Sequence, residues 1–555
     1  MKTPLRRPLL LAAGSIALLG LGLMAARPAE RYFDIAKNLD IFATLYKEVN
    51  TYYVDEVNPN TLMKEGIDKM LESLDPYTNY IPEDEIEDFR TMTTGQYAGI
   101  GSIIGRRKER PTVLMNYDGY PAQKAGILIG DEVLEVDGID VAKRGGVDIS
   151  KLLKGQAGTK VKLKLRRPGK ETPFVVDLTR ERIKINNVPY HGMIGADIGY
   201  IQLKDFNQDA GRDVKKALVD LKEKGAKSIV LDLRDNPGGL LHEAVNICNL
   251  FLPKDLEMVS TKGKVSDWNK QYRSLSAPVD TAIPVAVLVN NYSASASEIV
   301  SGVMQDYDRG VLIGIRTYGK GLVQTTRPLS YNSTLKVTTA KYYIPSGRCI
   351  QSIDYSRRSS EGKALTIADS ARAAFKTRRG RPVYDGGGVS PDMEVKPPTL
   401  TPIAQSLVAK GLIFDYATEY RLAHPTAPAV DKFGIDDAEY ARFVKWVSGK
   451  DYDYTTKVET TLSDLEETAK KENYYADIKD QIESLRRKMT HNKDQDLAKN
   501  RTEITELLEQ EILSRYYLER GIKEASFDSD PQLLEALAVL RSPARYQGIL
   551  AGKSK

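Results

Sequence analysis

In the stretch NNYSASASE, residues 290–298, serines stand at positions 293, 295 and 297, directly before an amphipathic run that reaches Gln305. One serine is enough to cap a helix, and Ser295 followed three residues later by Glu298 has the pattern of a capping box. That pattern accounts for one serine of the three and says nothing of what lies downstream. Twenty-five residues after Ser295 comes Lys320, in TYGKGLVQ, flanked by Gly319 and Gly321 and followed by Gln324. A serine hydroxyl is a poor nucleophile until a base takes its proton. A lysine desolvated enough to be neutral can be that base, and a serine–lysine pair is one variant of the serine triad. Gln324, an uncharged amide, could hold the amine without restoring its charge. Acyl transfer also needs donors for the developing oxyanion. The Ala296 N–H, at a helix start, is one candidate. Gly238 or Gly239 of DLRDNPGG is the other, since glycine lets the backbone approach a substrate closely.

These residues sit in turns, so the elements around them decide whether they meet. From Gly199 onward strand-like and helical runs alternate: GYIQL, a helix with Val214, Ala217, Leu218 and Leu221 on one face, SIVLDL, a helix through Val245 to Phe251, PVAVLV, a helix to Gln305, and VLIGI. The alternation predicts a largely parallel sheet covered by helices. In such folds sites lie at the carboxyl ends of the strands, where both RDNPGG and NNYSASAS fall. One helix and one strand separate Ser295 from Lys320, which returns the lysine to the serine's side of the sheet.

The remainder divides by texture into a helical lead-in over 29–94, a glycine-punctuated β-rich module over 95–184, the alternating core over 185–398 and a charged helical region over 399–555. Within the core, residues 355–388 are rich in Arg, Ser and Gly and read as a surface insertion. In the last region Ile478, Ile482, Leu485 and Met489 form one apolar stripe, and Ile504, Leu507, Leu508, Ile512 and Leu513 another. Such a bundle packs on the rest of the chain or pairs with a second copy, a homo-oligomer. Residues 1–28 carry Lys2, Arg6 and Arg7 ahead of an apolar run from Leu9 to Ala26, the pattern of an export signal. The run is long for a cleavable core and lacks Ala-x-Ala spacing at its end, which favours an uncleaved anchor over a removed signal peptide. The expected location is the periplasm or cell envelope, with membrane contact at the N-terminus.

A net charge of +5, from 80 basic and 75 acidic residues, gives no argument for nucleic acid. Cys248 and Cys349 leave room for one disulfide and lack metal-ligand spacing, and none of the four histidines falls in an HExxH pattern. Neither metal nor organic cofactor is expected.

DLRDNPGG, NNYSASASE, TYGKGLVQ and YYIPSGRCIQ occur in this order, and together they resemble the carboxyl-terminal processing proteases, also called tail-specific proteases, over about residues 32–398. The resemblance implies Ser295 as nucleophile, Lys320 as base and Gln324 as its partner, with Ser293 and Ser297 shaping the turn. It also implies an α+β multidomain chain: a crotonase-like α/β protease core interrupted by a PDZ domain, with the N-terminal helical segment and the C-terminal helical region outside it. The β-rich module supports this independently. YAGIGS offers Gly99, Ile100 and Gly101 as a loop whose N–H groups could receive a terminal carboxylate, and YPAQKAGILIGDEVLEVDG resembles the second half of bacterial PDZ domains, which capture free C-termini at a sheet edge. The expected activity is an exported serine endopeptidase acting on protein or peptide tails. A catalytically silent PDZ scaffold and an acyl-CoA enzyme of the crotonase type are the competing readings. The insertion and the helical region exceed the minimal enzyme of that family.

Overall fold

The computed structural model describes residues 32–142, 146–493 and 495–553; the charged and apolar N-terminal run lies outside them. Among the described residues no helix is long and apolar enough to cross a membrane. The chain forms two units, divided after Tyr80. In the first, residues 32–52 are helical, and a second helix, Pro59–Glu72, starts at an Asn58 cap whose side chain accepts from Thr61 N–H. Phe33, Leu39 and Leu45 of the first helix remain exposed.

The second unit is built on a six-stranded sheet in the order Tyr190–Ile194, Ile198–Gln202, Ser228–Asp232, Val285–Val289, Val311–Gly314, Met393–Glu394. The first pair is antiparallel and the rest are parallel. Strands such as VAVLV are buried along their whole length because helices cover both faces, which is why they read as unbroken apolar runs. On one face Leu231, Val287 and Leu312 pack against the helices Ala210–Glu223, Leu241–Phe251 and Ala296–Asp306. On the other, Tyr200, Val230, Ala286, Leu288 and Ile313 pack against Leu533, Ala536, Leu537, Tyr546 and Ile549 of the helices Pro531–Leu540 and Pro543–Leu550. The second layer of the core thus comes from far down the chain.

An antiparallel hairpin, Leu322–Pro328 with Thr334–Tyr343, continues through Glu257–Gly263 to Lys270–Arg273 beside the helical face. Residues 353–384 form two short hairpins. The buried pairs Arg348–Asp306, Arg381–Asp308 and Arg381–Asp392 tie residues before and within this insertion to the end of the helix Ala296–Asp306, the turn after it and the start of the strand Met393–Glu394. Between residues 402 and 525 helices close a separate apolar cluster around Leu407, Phe443, Ile504, Leu508 and Ile512. The Ile504 stripe is therefore core, whereas Leu485 of the Ile478 stripe is about half exposed.

The β-rich module is an antiparallel sheet ordered Ser102–Arg107, Arg110–Asn116, Glu132–Val136, Lys160–Arg166, Phe174–Thr179, with the helix Gly146–Leu153 beside its first strand. The chain enters and leaves it on paired strands, Gln96–Gly99 and Glu181–Lys184.

Candidate active site

Three neighbouring parallel strands, ending at Asp232, Val289 and Gly314, deliver the turns that carry RDNPGG, NNYSASAS and TYGKG to one edge of the sheet. The two outer serines of the second turn are fully buried and hold it in place. Ser293 Oγ donates to the Leu233 carbonyl at 2.8 Å and accepts from Asn290 N–H at 2.9 Å. Ser297 Oγ donates at 2.9 Å to the Asn236 carbonyl, which also receives Ala294 N–H at 3.0 Å. The middle serine differs. Ser295 is half-buried and has φ 55° and ψ −111°. A positive φ at a residue with a Cβ is strained and persists only where the surroundings enforce it.

Glu298 supplies much of that enforcement. It is fully buried in the first turn of the helix. Its Oε2 accepts from Ser295 N–H at 2.9 Å and from Lys320 N–H at 2.8 Å. Its Oε1 accepts from Gly319 N–H at 2.7 Å and from Thr317 Oγ1 at 2.5 Å. One carboxylate oxygen therefore joins the backbone of the serine to the backbone of the lysine. Burial pushes the Glu298 carboxyl above its ordinary range, and these four donors pull against that shift. Gln351, from YYIPSGRCIQ, continues the row, its Oε1 accepting from Gly321 N–H at 2.7 Å. Gly319 has φ 89°, and a Cβ there would stand 2.5 Å from the Ser352 side chain, so only glycine fits. Lys320 itself is half-buried.

Gly238 lies against the serine turn. Its φ is 95°, and a Cβ would stand 2.6 Å from the Ala294 carbonyl oxygen and 2.8 Å from Ala296 N. Its own N–H is given to Asn236 Oδ1 at 2.9 Å. Among the described residues, the N–H groups of Ala296 and Gly239 meet no acceptor. Gln324 falls on the strand after the lysine loop, at a bulge, and its Nε2 donates to Thr338 Oγ1 at 3.1 Å. His242, the histidine next to RDNPGG, is largely exposed beside Glu243. Cys248 and Cys349 are both free thiols, so the disulfide that their number allowed is not formed.

In the β-rich module Gly99 and Ile100 line a groove of about 210 Å³, together with Tyr97, Ile103, Leu153 and Lys154, between the edge strand Ser102–Arg107 and the helix Gly146–Leu153. The Ile100 and Gly101 carbonyls accept from Ala122 and Tyr117, while their own N–H groups meet no acceptor among the described residues. Gly101 has φ 75°, and a Cβ there would stand 2.5 Å from that of Tyr120.

Sequence reasoning missed Glu298, Gln351 and Arg234 as parts of this site. Glu298 was visible only as half of a capping box. Arg234 is half-buried and pairs with Asp232, Asp530 and Gln532, and no local pattern announces the last two.

The sequence matches Peptidase family S41 over residues 197–356, a PDZ domain over 117–167, and "Probable PDZ-protease, C-terminal helical domain" over 403–540. It is 36% identical over 321 residues to the carboxy-terminal-processing protease of Bartonella bacilliformis, covering 57% of this chain and 73% of that one. A "Probable CtpA-like serine protease" of Staphylococcus haemolyticus is 36% identical over 307 residues, with 55% and 61% covered. Among solved structures, the photosystem II D1 C-terminal processing protease is 28% identical, with 64% of this chain and 92% of that one covered at a TM-score of 0.35. Turns brought to one sheet edge, a strained serine tied to a glycine-flanked lysine, and a relative matched over most of its length converge on one assignment: the chain belongs to the carboxy-terminal-processing serine proteases of peptidase family S41, and it carries a PDZ domain.

Proposed function

We propose that this is an exported endopeptidase that takes protein tails in its PDZ groove and cleaves peptide bonds with a Ser295–Lys320 dyad on a crotonase-like core. The observation that carries the reading is the shared Glu298 oxygen, which fixes the serine and lysine backbones to each other. Ser295 Oγ attacks the scissile carbonyl while the neutral Lys320 amine takes its proton. The oxyanion of the tetrahedral intermediate is received by Ala296 N–H, at a helix start, and by Gly239 N–H. Gly239 is favoured over Gly238 because the Gly238 N–H is already given to Asn236; Gly238 instead lets the two turns close together. Collapse of the intermediate breaks the C–N bond, and the Lys320 ammonium returns the proton to the leaving amine. Water then hydrolyses the acyl-enzyme with Lys320 again as base. Gln324, anchored through Nε2, keeps Oε1 to orient the lysine.

At the PDZ groove an extended tail adds to the open edge of Ser102–Arg107, with its carboxylate on the N–H groups of Ile100 and Gly101. Export to the periplasm or cell envelope is part of the same proposal and rests on the N-terminal run.

The test compares wild type, Ser295→Ala and Lys320→Arg on one peptide prepared with a free and an amidated C-terminus. Wild type should prefer the free acid, and both variants should be inactive, because a guanidinium stays protonated and cannot act as base. Turnover by Lys320→Arg would remove the lysine from the mechanism; equal use of the amidated peptide would remove carboxylate capture. A silent scaffold would bind the free acid and never cleave it.

A further inference from the structure

We infer that Asp530 is a positioning residue of the active site, acting through Arg234 on the turn that carries Gly238 and Gly239. The inference rests on the serine–lysine reading above.

Arg234 follows the end of the strand Ser228–Asp232 and is half-buried, with 12% of its side chain exposed. Its Nε and Nη2 grip Asp232 at 2.9 and 2.6 Å in a two-pronged pair. Its Nη1 donates to Asp530 Oδ1 and to Gln532 Oε1, each at 3.0 Å, and Nη2 stands 2.7 Å from Asp530 Oδ2. Tyr200 Oη donates to Asp232 at 2.5 Å, and Lys523 Nζ lies 3.9 Å from the same carboxylate. Two anions and two cations thus form a neutral cluster under the catalytic turn. Removing the Asp530 charge leaves an excess of positive charge in the cluster; in Asp530→Asn an amide NH₂ stands where Oδ2 was, donor against donor with Arg234 Nη2, while Nη1 keeps Oδ1 and Gln532, and the guanidinium shifts away from the amide.

Movement at Arg234 reaches the nucleophile along a short path. The next residue, Asp235, is locked to Asn290: its N–H donates to Asn290 Oδ1 at 3.0 Å and its Oδ1 accepts from Asn290 Nδ2 at 2.9 Å. The residue after that, Asn236, gives its carbonyl to Ala294 N–H and Ser297 Oγ, on either side of Ser295, and its Oδ1 to Gly238 N–H. The Asp530 side chain therefore bears on both halves of the site, the oxyanion turn and the serine turn.

Asp530 has a second, purely structural occupation. Its Oδ1 caps the helix Pro531–Leu540, accepting from Gln532 and Leu533 N–H at 3.0 and 3.1 Å. Asparagine caps a helix about as well as aspartate, so Asp530→Asn separates the two roles.

The experiment measures kcat and KM on a peptide with a free C-terminus, the rate of Ser295 labelling by a fluorophosphonate, and thermal unfolding, for full-length wild type, Asp530→Asn, Asp530→Ala and Ser295→Ala. For Asp530→Asn the expectation is an unchanged melting temperature and KM, with kcat and the labelling rate both lowered by about tenfold or more. Asp530→Ala should show that loss and a lower melting temperature. Wild-type kcat in Asp530→Asn, or a kcat that falls only where the melting temperature falls, overturns the inference and leaves the cap as the residue's whole role. Turnover by Ser295→Ala would overturn the serine–lysine reading and this inference together, whereas an inactive Ser295→Ala beside a fully active Asp530→Asn overturns this inference alone.

Discussion

Replacing Glu298 by glutamine tests how the proposed Ser295–Lys320 dyad is assembled. The carboxylate accepts four hydrogen bonds at 2.5 to 2.9 Å and has no access to solvent. A glutamine keeps the shape but offers one acceptor oxygen and one donor NH₂. If its oxygen faces Thr317 and Gly319, its NH₂ faces the N–H groups of Ser295 and Lys320, donor against donor. Turning the amide over moves the conflict to Gly319, and the Thr317 hydroxyl can rotate away from it, so the strain is distributed differently but not removed. The amide takes this second orientation, in which one buried donor, Gly319 N–H, is left without a partner at about 1–3 kcal/mol. Expressed wholly in the transition state, at 1.4 kcal/mol per tenfold, this is a loss of about fivefold to about 140-fold in kcat. Expressed in the ground state it releases the turn of Gly319 and Lys320. Either way the rate falls. The assay is steady-state cleavage of a free-acid peptide by Glu298→Gln, with fluorophosphonate labelling of Ser295 to report the nucleophile separately. A variant within about threefold of wild type in both would show that the shared carboxylate does not hold the site together.

Other outcomes follow from distances already given. Gly238→Ala should abolish cleavage, because its Cβ would stand 2.8 Å from Ala296 N, the group proposed to receive the oxyanion; peptide binding at the PDZ groove, measured in parallel, should be unchanged. Ser297→Ala should be milder than Ser293→Ala in both activity and melting temperature, since the Asn236 carbonyl keeps Ala294 N–H whereas Asn290 N–H loses its acceptor. Both should retain measurable turnover, and Ser295→Ala none. Acid stability should depend on Asp232. Burial alone would raise its pKa, but the Arg234 guanidinium, with Lys523 and Tyr200, holds it well below the ordinary carboxylate range. A depressed folded pKa means that the stabilisation is fully present above the unfolded value of ~3.9 and is lost as pH falls towards the folded one. An Asp232→Asn chain, followed by denaturant unfolding from pH ~6 down to pH ~2, should therefore be less stable throughout the upper part of that range and show a flatter acid limb than wild type.

Much of the core was readable because its signal is local. The strands Ser228–Asp232 and Val285–Val289 are unbroken apolar runs between glycine- and asparagine-bearing turns, and the helix Ala210–Glu223 carries its stripe at helical spacing. The turns holding Ser295 and Gly238 followed from strand ends. Less was readable where one residue serves two distant segments. Glu298 caps its own helix in sequence, and only folding shows that the same oxygens reach Thr317, Gly319 and Lys320. The hairpin Leu322–Pro328 with Thr334–Tyr343 escaped notice because its first strand ends in polar, exposed residues. The apolar stripe of Pro531–Leu540 marks a buried helix but cannot say which surface buries it, and neither the sheet face of Tyr200 and Leu288 nor Arg234 is signalled by anything near it in the chain.

That last pairing sets an order of events during synthesis. The strands of the core sheet are all made by residue 394, yet one face stays bare until residues 531–550 have been added. Between them the ribosome must produce the whole intervening helical region, which closes around a cluster of its own. Chains fold from the N-terminus as they emerge, so the PDZ module and the helical region can be complete while the Ser295 turn still lacks the support beneath it. A growing chain can therefore complete the module with the proposed tail-binding groove while the sheet that carries the Ser295 turn still lacks its second layer of helices.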